Sequence, residues 1–465
     1  MRKLIPLIVA TLLLAASTQA QFTNLLNFDT VSGQSPFGNL TLSGNKLYGM
    51  TSTGGANNDG VIFMVDTNGG NYKDIYDFNG GFGSRPFGTL LLVGNKFYGM
   101  AEMGGGNGVG CIFSIDTNGG SYTDLFDFNG GNGSYPTSTG PLTLAGSKLY
   151  GMTSQGGAKD SGCIFSIDTT GKGYKVLFSF NGANGKSPAG SLMIAGNKLF
   201  GATTSGCTKE NGCVFSIDTN GNGYKTLVVF NDTNGHGPNG SLTLSGKVLY
   251  GMTSNGGYSE NGCIFSIDTM GTNYKVLYKF DSTYNPHRWS PNGSLILNGS
   301  ILYGMTESGG PHNNGCIFSI DTNGSGYMDM FDFNWGTGTG VHPSSSLILS
   351  GNVLYGMTNE GGASFDGDIF SFKDITTGIN EFYMTARTID IYPNPNNGKF
   401  SINIPNIKNK AMMDIYGTLG EKVYSYSLVP GISQINLSSV PVGLYMYRVV
   451  TIEGQQISSG KVIIQ

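Results

Sequence analysis

The sequence predicts an all-β fold: a seven-bladed β-propeller of about 50-residue repeats, closed by the N-terminal strand and followed by a small Ig-like β-sandwich. Three observations predict it. The stretch Leu47-Tyr48-Gly49-Met50-Thr51 has seven copies. They open at Leu47, Phe97, Leu149, Leu199, Leu249, Leu302 and Leu354, at spacings of 50, 52, 50, 50, 53 and 52 residues. Each copy sits among short runs rich in Ile, Leu, Phe and Tyr and bounded by Gly, Asn and Asp, as strands and tight turns require. After Lys373 the Gly-Gly loops stop, Lys, Ile and Val increase, and a second series of alternating strands begins.

Each unit reads as four strands. The first is Ser/Thr-Leu-x-Leu, as in Leu40-Thr41-Leu42. A Gly-Asn turn leads to the Leu-Tyr-Gly-Met strand. A Gly-Gly loop precedes a third strand such as Cys111-Ile112-Phe113-Ser114-Ile115-Asp116. An Asp-Thr-Asn-Gly turn precedes a fourth, as in Tyr122 to Phe128. The seventh unit ends at Asp368-Ile369-Phe370-Ser371-Phe372 with no fourth strand, and Asn24-Leu25-Leu26-Asn27-Phe28 is an orphan one. Pairing them would close the ring and remove the free edges. An open solenoid would need caps that the sequence does not carry. Gly49 and its equivalents, inside a strand, predict close backbone approach near the axis. Met50 and its equivalents predict packing between blades.

The start of the chain carries an address. Arg2 and Lys3 precede the apolar run Leu4 to Ala16, and Thr18-Gln19-Ala20 offers a cleavage site. Residues 1–20 therefore read as a signal peptide, too short to span a bilayer. The expected organisation is a signal peptide at 1–20, the propeller at 21–374, a linker at 375–388 and a C-terminal domain at 389–465. Only 12% of the 465 residues are charged and the net charge is -4, so no basic footprint points to nucleic acid or an anionic membrane. No transmembrane helix is expected, and the propeller is expected to be monomeric.

The unit resembles the kelch repeat in period and strand order. Tyr72, Tyr122 and Tyr174 stand where kelch repeats have Trp, and the paired glycines come later. It is more similar to the GloVer tandem repeat of secreted bacterial proteins, marked by Leu-Tyr-Gly-Met-Thr, Gly-Gly and Gly-x-Ile-Phe-Ser-Ile-Asp over residues 22–373. That resemblance implies an exported repeat protein and brings no activity with it. The C-terminal segment carries Tyr392-Pro393-Asn394-Pro395 with Gly398, the hairpin Ile415-Tyr416-Gly417 to Gly420, Gly443-Leu444-Tyr445, and Lys461-Val462-Ile463-Ile464. It resembles the type A C-terminal sorting domain of the type IX secretion system of Bacteroidota. The resemblance implies partnership with that machinery, passage across the outer membrane, and release or attachment at the cell surface. Pro393, Asn394, Pro395, Gly398, Gly443, Tyr445 and Lys461 carry it.

Little in the repeats points to chemistry. Cys111, Cys163, Cys213, Cys263 and Cys316 share one repeat position and are expected to be packed thiols. Cys207 replaces the second glycine of a Gly-Gly pair, six residues before Cys213, and a local Cys207–Cys213 disulfide is expected in an exported protein. No metal site and no cofactor is expected. The turns at Asp66, Asp116, Asp218 and Asp321 lack the later acids of a calcium loop and read as hairpin turns.

The loops after strands two and four are expected on one face. There lie His236, His287, Arg288, Trp289, His312, Trp335 and His342, in the loops around blades five to seven. Rigid aromatics among small polar residues suit ligand stacking. Glu102, Glu307 and Glu360 follow the second strand and are read as solubilising charge, although carboxylates on different blades can meet across a ring. The leading expectation is a non-catalytic, exported module that binds a glycan or a protein at the cell surface. The alternatives are a secreted polysaccharide lyase or hydrolase, and a structural matrix component.

Overall fold

The computed structural model describes residues 21–136, 140–257, 260–280, 289–373, 390–404, 411–417, 422–429, 431–451 and 456–465. The expected signal peptide, the linker at 375–388, His287, Arg288 and Gly420 lie outside the described residues. The chain divides into two compact units, Met1–Asp374 and Ile375–Gln465. No α-helix occurs among the described residues, only a single 3-10 turn at Trp335–Thr337. None is long and apolar enough to cross a membrane.

Among the described residues the first unit is a succession of seven antiparallel sheets, one per repeat, with a further two-stranded ladder between Gly340–Val341 and Glu360–Gly361. The first repeat shows the pattern. Thr41–Ser43, Lys46–Thr51, Val61–Asp66 and Lys73–Asp77 pair in chain order. The two middle strands are almost wholly buried and the outer two half-buried, so burial falls off at both edges of each sheet. The seventh sheet takes Ile348–Ser350, Val353–Thr358 and Asp368–Lys373 from its own repeat. Its fourth strand is Gln21–Asn27, running antiparallel to Asp368–Lys373 with Phe22 opposite Phe372. Phe22 stacks on Phe331 and on Phe370, at centroid distances of 4.3 and 5.2 Å.

Each sheet buries its face against the next. Tyr48 and Met50 of the first repeat share a core with Phe97 and Phe113 of the second. Tyr355, Met357 and Ile369 of the seventh share one with Leu47 and Phe63 of the first. The repeated methionine thus fills the space between sheets, as expected. The repeated glycine has another cause. A Cβ on Gly49 would lie 2.5 Å from Cζ of Phe63 on the neighbouring strand of the same sheet. The glycine makes room for an aromatic ring and not for backbone.

Close backbone approach does occur, but just before the first strand of each unit. Cβ atoms on Gly38 and Gly240 would collide with the carbonyls of Gly88 and Gly293 in the next unit. Beside these glycines runs a chain of inter-sheet bonds. The N–H groups of Asn39, Ser191, Ser241 and Ser294 donate to side-chain oxygens of Thr89, Ser241, Ser294 and Ser346, at 2.7–2.8 Å. Ser346 N–H then donates to Asn39 Oδ1 at 2.6 Å, from the last repeat to the first.

The Asp-Thr-Asn-Gly segments are hairpin turns. Asp66 N–H donates to Gly70 O, Gly69 N–H to Asp66 O, and Asn68 Oδ1 accepts from Gly70 N–H. The cysteines that open the third strands at 111, 163, 263 and 316 are free and buried. In three of these sheets the preceding strand's threonine hydroxyl lies 3.3 Å from the sulfur, as at Thr153 and Cys163. Cys207 and Cys213 are joined as a disulfide with Cα atoms 6.4 Å apart. The reason is local. A Cβ at the equivalent Gly55 would point at Val61 and at Asp77, the end of the fourth strand. In the fourth repeat these three positions hold Cys207, Cys213 and Val229, so a thiol reaches a thiol where no carboxylate competes for the space.

The second unit has two sheets around one core. Asp390–Tyr392, Lys399–Ile404 and Gly431–Asn436 form the first. Lys422–Leu428, Ala411–Tyr416, Gly443–Thr451 and Gln456–Ile464 form the second. Phe400, Ile402 and Ile435 meet Met413, Ile415, Val449 and Val462 between them. The Pro393-Asn394-Pro395 segment is tied to the last strand. Asn394 Nδ2 donates to Lys461 O and its Oδ1 accepts from Ile463 N–H, both at 2.8 Å. Gly398, at φ +88°, bonds to Asn396 and to Leu437. Tyr445 OH donates to Pro441 O at 2.7 Å.

Two outcomes test this packing. Gly49→Ala is expected to lower the stability to urea by about 1–3 kcal/mol through overpacking against Phe63. Alkylation of the denatured, unreduced protein is expected to modify Cys111, Cys163, Cys263 and Cys316 and leave Cys207 and Cys213 untouched. Mass spectrometry of the 207–213 peptide reads the result, and six modified thiols would contradict the pairing.

Candidate functional site

The candidate site lies where two kinds of loop meet. The loop after each second strand begins with Gly-Gly, or Gly206-Cys207 in the fourth repeat, both residues at positive φ, as at Gly54 and Gly55 (φ 79° and 75°). It folds over the end of the fourth strand. Ala56 N–H donates to Asp77 Oδ1 at 2.7 Å, Gly106 N–H to Asp127 Oδ1 at 2.8 Å, and Ala363 N–H to Asn27 Oδ1 at 2.9 Å. The loop after each fourth strand crosses to the next sheet. The residue before its proline is left-handed at Ser35, Arg85, Tyr135, Ser187 and His342, with φ between 50° and 54°. Its N–H reaches the preceding repeat, as Arg85 to Asp59 O, and its carbonyl accepts from its own, as Arg85 O from Glu102 N–H. The two loop families are thereby stitched together on one face.

Exposed apolar side chains on that face include Val31 and Phe82 and a ring pair from the sixth and seventh repeats. Trp335 is 45% exposed and Phe365 68% exposed, and their rings meet at 5.7 Å and 37°. Trp335 belongs to the loop after a fourth strand and Phe365 to the loop after the next second strand. Beside them, His312 Nε2 lies 3.1 Å from Asn334 Nδ2. His342 Nδ1 lies 3.0 Å from Glu307 O, so its ring is turned back onto the loop. His236 is elsewhere, 3.8 Å from Asp232.

Trp289 is not part of the exposed pair. Its ring stacks on Phe280 at 5.6 Å and leaves no room for a side chain on Gly309. Its Nε1 is buried without a hydrogen-bond partner. Of the three glutamates, Glu307 Oε2 accepts from Asn292 Nδ2 at 3.2 Å and Glu360 is exposed. Burial raises the Glu102 carboxyl above its usual range. Among the described residues no group of three or more His, Cys, Asp or Glu is placed to hold a metal ion.

Sequence reasoning missed two features. Phe365 is one residue in a Gly-Ala-Ser loop, and its partnership with Trp335 needs the order of the sheets. Aspartate pairs on the fourth strands, described below, need a bulge that the sequence does not announce. A cavity of about 470 Å³ opens beside one of them, lined by Thr30, Val31, Gln34, Asn58, Asp74 and Asp77 among others. Gln34 Nε2 donates to Asp366 Oδ1 at 2.6 Å, next to Phe365.

The comparisons agree with this architecture. Residues 11–147 and 138–296 match the Gloeobacter/Verrucomicrobia repeat, and residues 390–465 match the secretion system C-terminal sorting domain. No curated protein matches. Among solved structures, the chain is similar to PorZ, an essential surface component of the type IX secretion system of Porphyromonas gingivalis. Identity is 15% and the TM-score 0.48, over 95% of this chain and 60% of that one. An oligogalacturonate lyase in complex with manganese is similar at 12% identity and TM-score 0.51, over 77% of this chain and 94% of that one. The extracellular domain of a one component system from B. thetaiotaomicron is similar at 12% and 0.50, over 96% of this chain and 58% of that one. At such identities the likeness to the last two, at TM-scores of 0.51 and 0.50, shows the fold alone. The sorting domain marks the chain for type IX secretion, to the cell surface or beyond. With its repeats matched across more than half its length, the chain belongs to the Gloeobacter/Verrucomicrobia repeat family.

Proposed function

We propose that the repeat unit is a seven-bladed, kelch-like ring closed by the N-terminal strand, and that it acts as a non-catalytic binding module for a glycan. Residues 1–20 serve as its export leader, and the C-terminal unit delivers it through the type IX machinery. The exposed Trp335–Phe365 pair carries the binding reading. Two rings standing clear of the surface among Gly, Ser and Thr can stack on the apolar face of a sugar at little cost in conformational entropy. His312 and Asn334 supply hydrogen-bonding groups beside them.

A glycan array with the secreted protein tests the proposal. Trp335→Ala is expected to weaken binding by about 1.5 kcal/mol, roughly tenfold in Kd. Trp289→Ala is expected to act through stability, since its ring is packed on Phe280. Glycan binding untouched by Trp335→Ala and Phe365→Ala would refute the patch. Turnover of a polysaccharide that is lost in Glu307→Gln or Glu360→Gln would replace the binding reading with an enzymatic one.

A further inference from the structure

Three fourth strands carry two aspartates three residues apart: Asp74 and Asp77, Asp124 and Asp127, Asp329 and Asp332. In a regular strand this spacing puts side chains on opposite faces. Here Phe63 pairs with Asp74 and Ile62 with Tyr76, so Ile75 is an extra residue. Leu125 and Met330 are extra in the same way. The bulge turns each pair of aspartates to one side. The outer member holds the Gly-Gly loop, as Asp77 and Asp127 do through Ala56 and Gly106. In the sixth repeat the position of Ala56 and Gly106 is Pro311, which has no N–H to give, and Asp332 is packed against Gly310, where a Cβ would be 2.6 Å from Oδ1. Yet Asp74 Oδ1 and Asp332 Oδ1 are buried with no donor. Two ionised carboxylates offer only acceptors, and a single proton between them removes both the repulsion and the orphaned oxygen.

We propose that the first two pairs are proton-held latches. A proton shared between the two carboxyl groups lets the outer one keep its loop closed over the strand end. Loss of that proton to solvent loosens residues 54–60 and 104–110. The latch goes beyond the binding reading and needs no ligand, although its loops open on the face that carries Trp335.

The surroundings favour the protonated pair. Burial, then the charge of Asp77, pushes the Asp74 carboxyl up to about 6. Burial and the charge of the partner raise Asp124 and Asp329 likewise. The other titratable groups around the first pair are Tyr72 and Asp29. Around the second they are Cys111, Tyr122 and, from the preceding sheet, Tyr76. Around the third they are Cys316, Tyr327, Tyr278 and His312, whose positive form favours ionisation of Asp332. A carboxyl group raised in the folded state binds more protons folded than unfolded. The stability it gives is therefore full below the unfolded value of 3.8 and falls as pH rises, through about 6 for Asp74.

Hydrogen exchange of the full secreted chain from pH 5 to pH 8, corrected for the intrinsic pH dependence of amide exchange, tests the latch. Protection of the two loops is expected to fall about tenfold across that range. The loop at 157–162, which ends over Ser179 and has no aspartate pair, serves as an internal control and is expected to stay constant. In Asp74→Asn/Asp124→Asn, the amide donates to the outer carboxylate at every pH, and the dependence is expected to vanish. If the double variant does not fold, Asp74→Asn alone is read at residues 54–60 against residues 104–110. A flat wild-type profile, an equal loss in the control loop, or a dependence that survives the asparagines would overturn the proposal.

Discussion

Every sheet of the first unit covers its faces only with its two neighbours, so the arrangement depends on how the last repeat meets the first. One buried carboxylate ties the N-terminal strand into the seventh repeat at that junction. Asp368 accepts from Asn24 Nδ2 at 2.8 Å, from Gly340 N–H at 2.7 Å and from Thr358 Oγ1 at 2.6 Å. Those donors belong to the N-terminal strand, the loop after the sixth sheet, and the second strand of the seventh. In five other repeats the same position is a cysteine beside a threonine or, in the second, an alanine; in the first it is Val61 beside Thr51. Burial pushes the Asp368 carboxyl up to about 6, so its ionised form is costly unless donors surround it. Here three do, each from a different segment. A thiol could not gather them, which accounts for the one acid in this column of the repeat.

The same economy governs the loops. A Gly-Gly pair is needed because the chain must turn back over the strand end with positive φ twice and with no Cβ against the residue below. What lies below then sets how the loop is held. Asp77, Asp127, Ser179 and Asn27 accept from the loop backbone. Val229 cannot, and there the disulfide Cys207–Cys213 takes over. The departure from glycine at Cys207 and the departure from a polar residue at Val229 are thus one event seen at two positions, 22 residues apart.

Repeat period, strand order and the address at the C-terminus were legible in the sequence because each rests on local pattern. Four strands per repeat follow from short apolar runs between Gly, Asn and Asp, and the orphan strand near Asn24 stood out because the seventh repeat lacked one. The role of Gly49 was not legible. A strand glycine reads as backbone approach, whereas its cause is the Phe63 ring on the next strand, and the true approaches are at Gly38 and Gly240. The candidate patch was partly legible. Trp335 and His312 stand out by residue type, but Phe365 joins them only through the packing of successive sheets. Trp289 shows the converse: rare in the chain and set in a loop, it reads as a binding residue, yet its ring is engaged with Phe280 and Gly309.

A repeat constrains most of its positions twice, once by its own sheet and once by the neighbour it packs against. Some departures at such positions come with a second change, as at Cys207 with Val229, or in a unique context, as at Asp368. Trp335 and Phe365 fit neither case. They are exposed, they touch each other, and none of the hydrogen bonds that stitch the loops together requires either ring. Large apolar side chains at loop tips cost solubility without adding to the core. Among the exposed apolar side chains of this face, which include Val31 and Phe82, the Trp335–Phe365 pair is therefore better explained by what it contacts outside the chain than by anything it holds together within it.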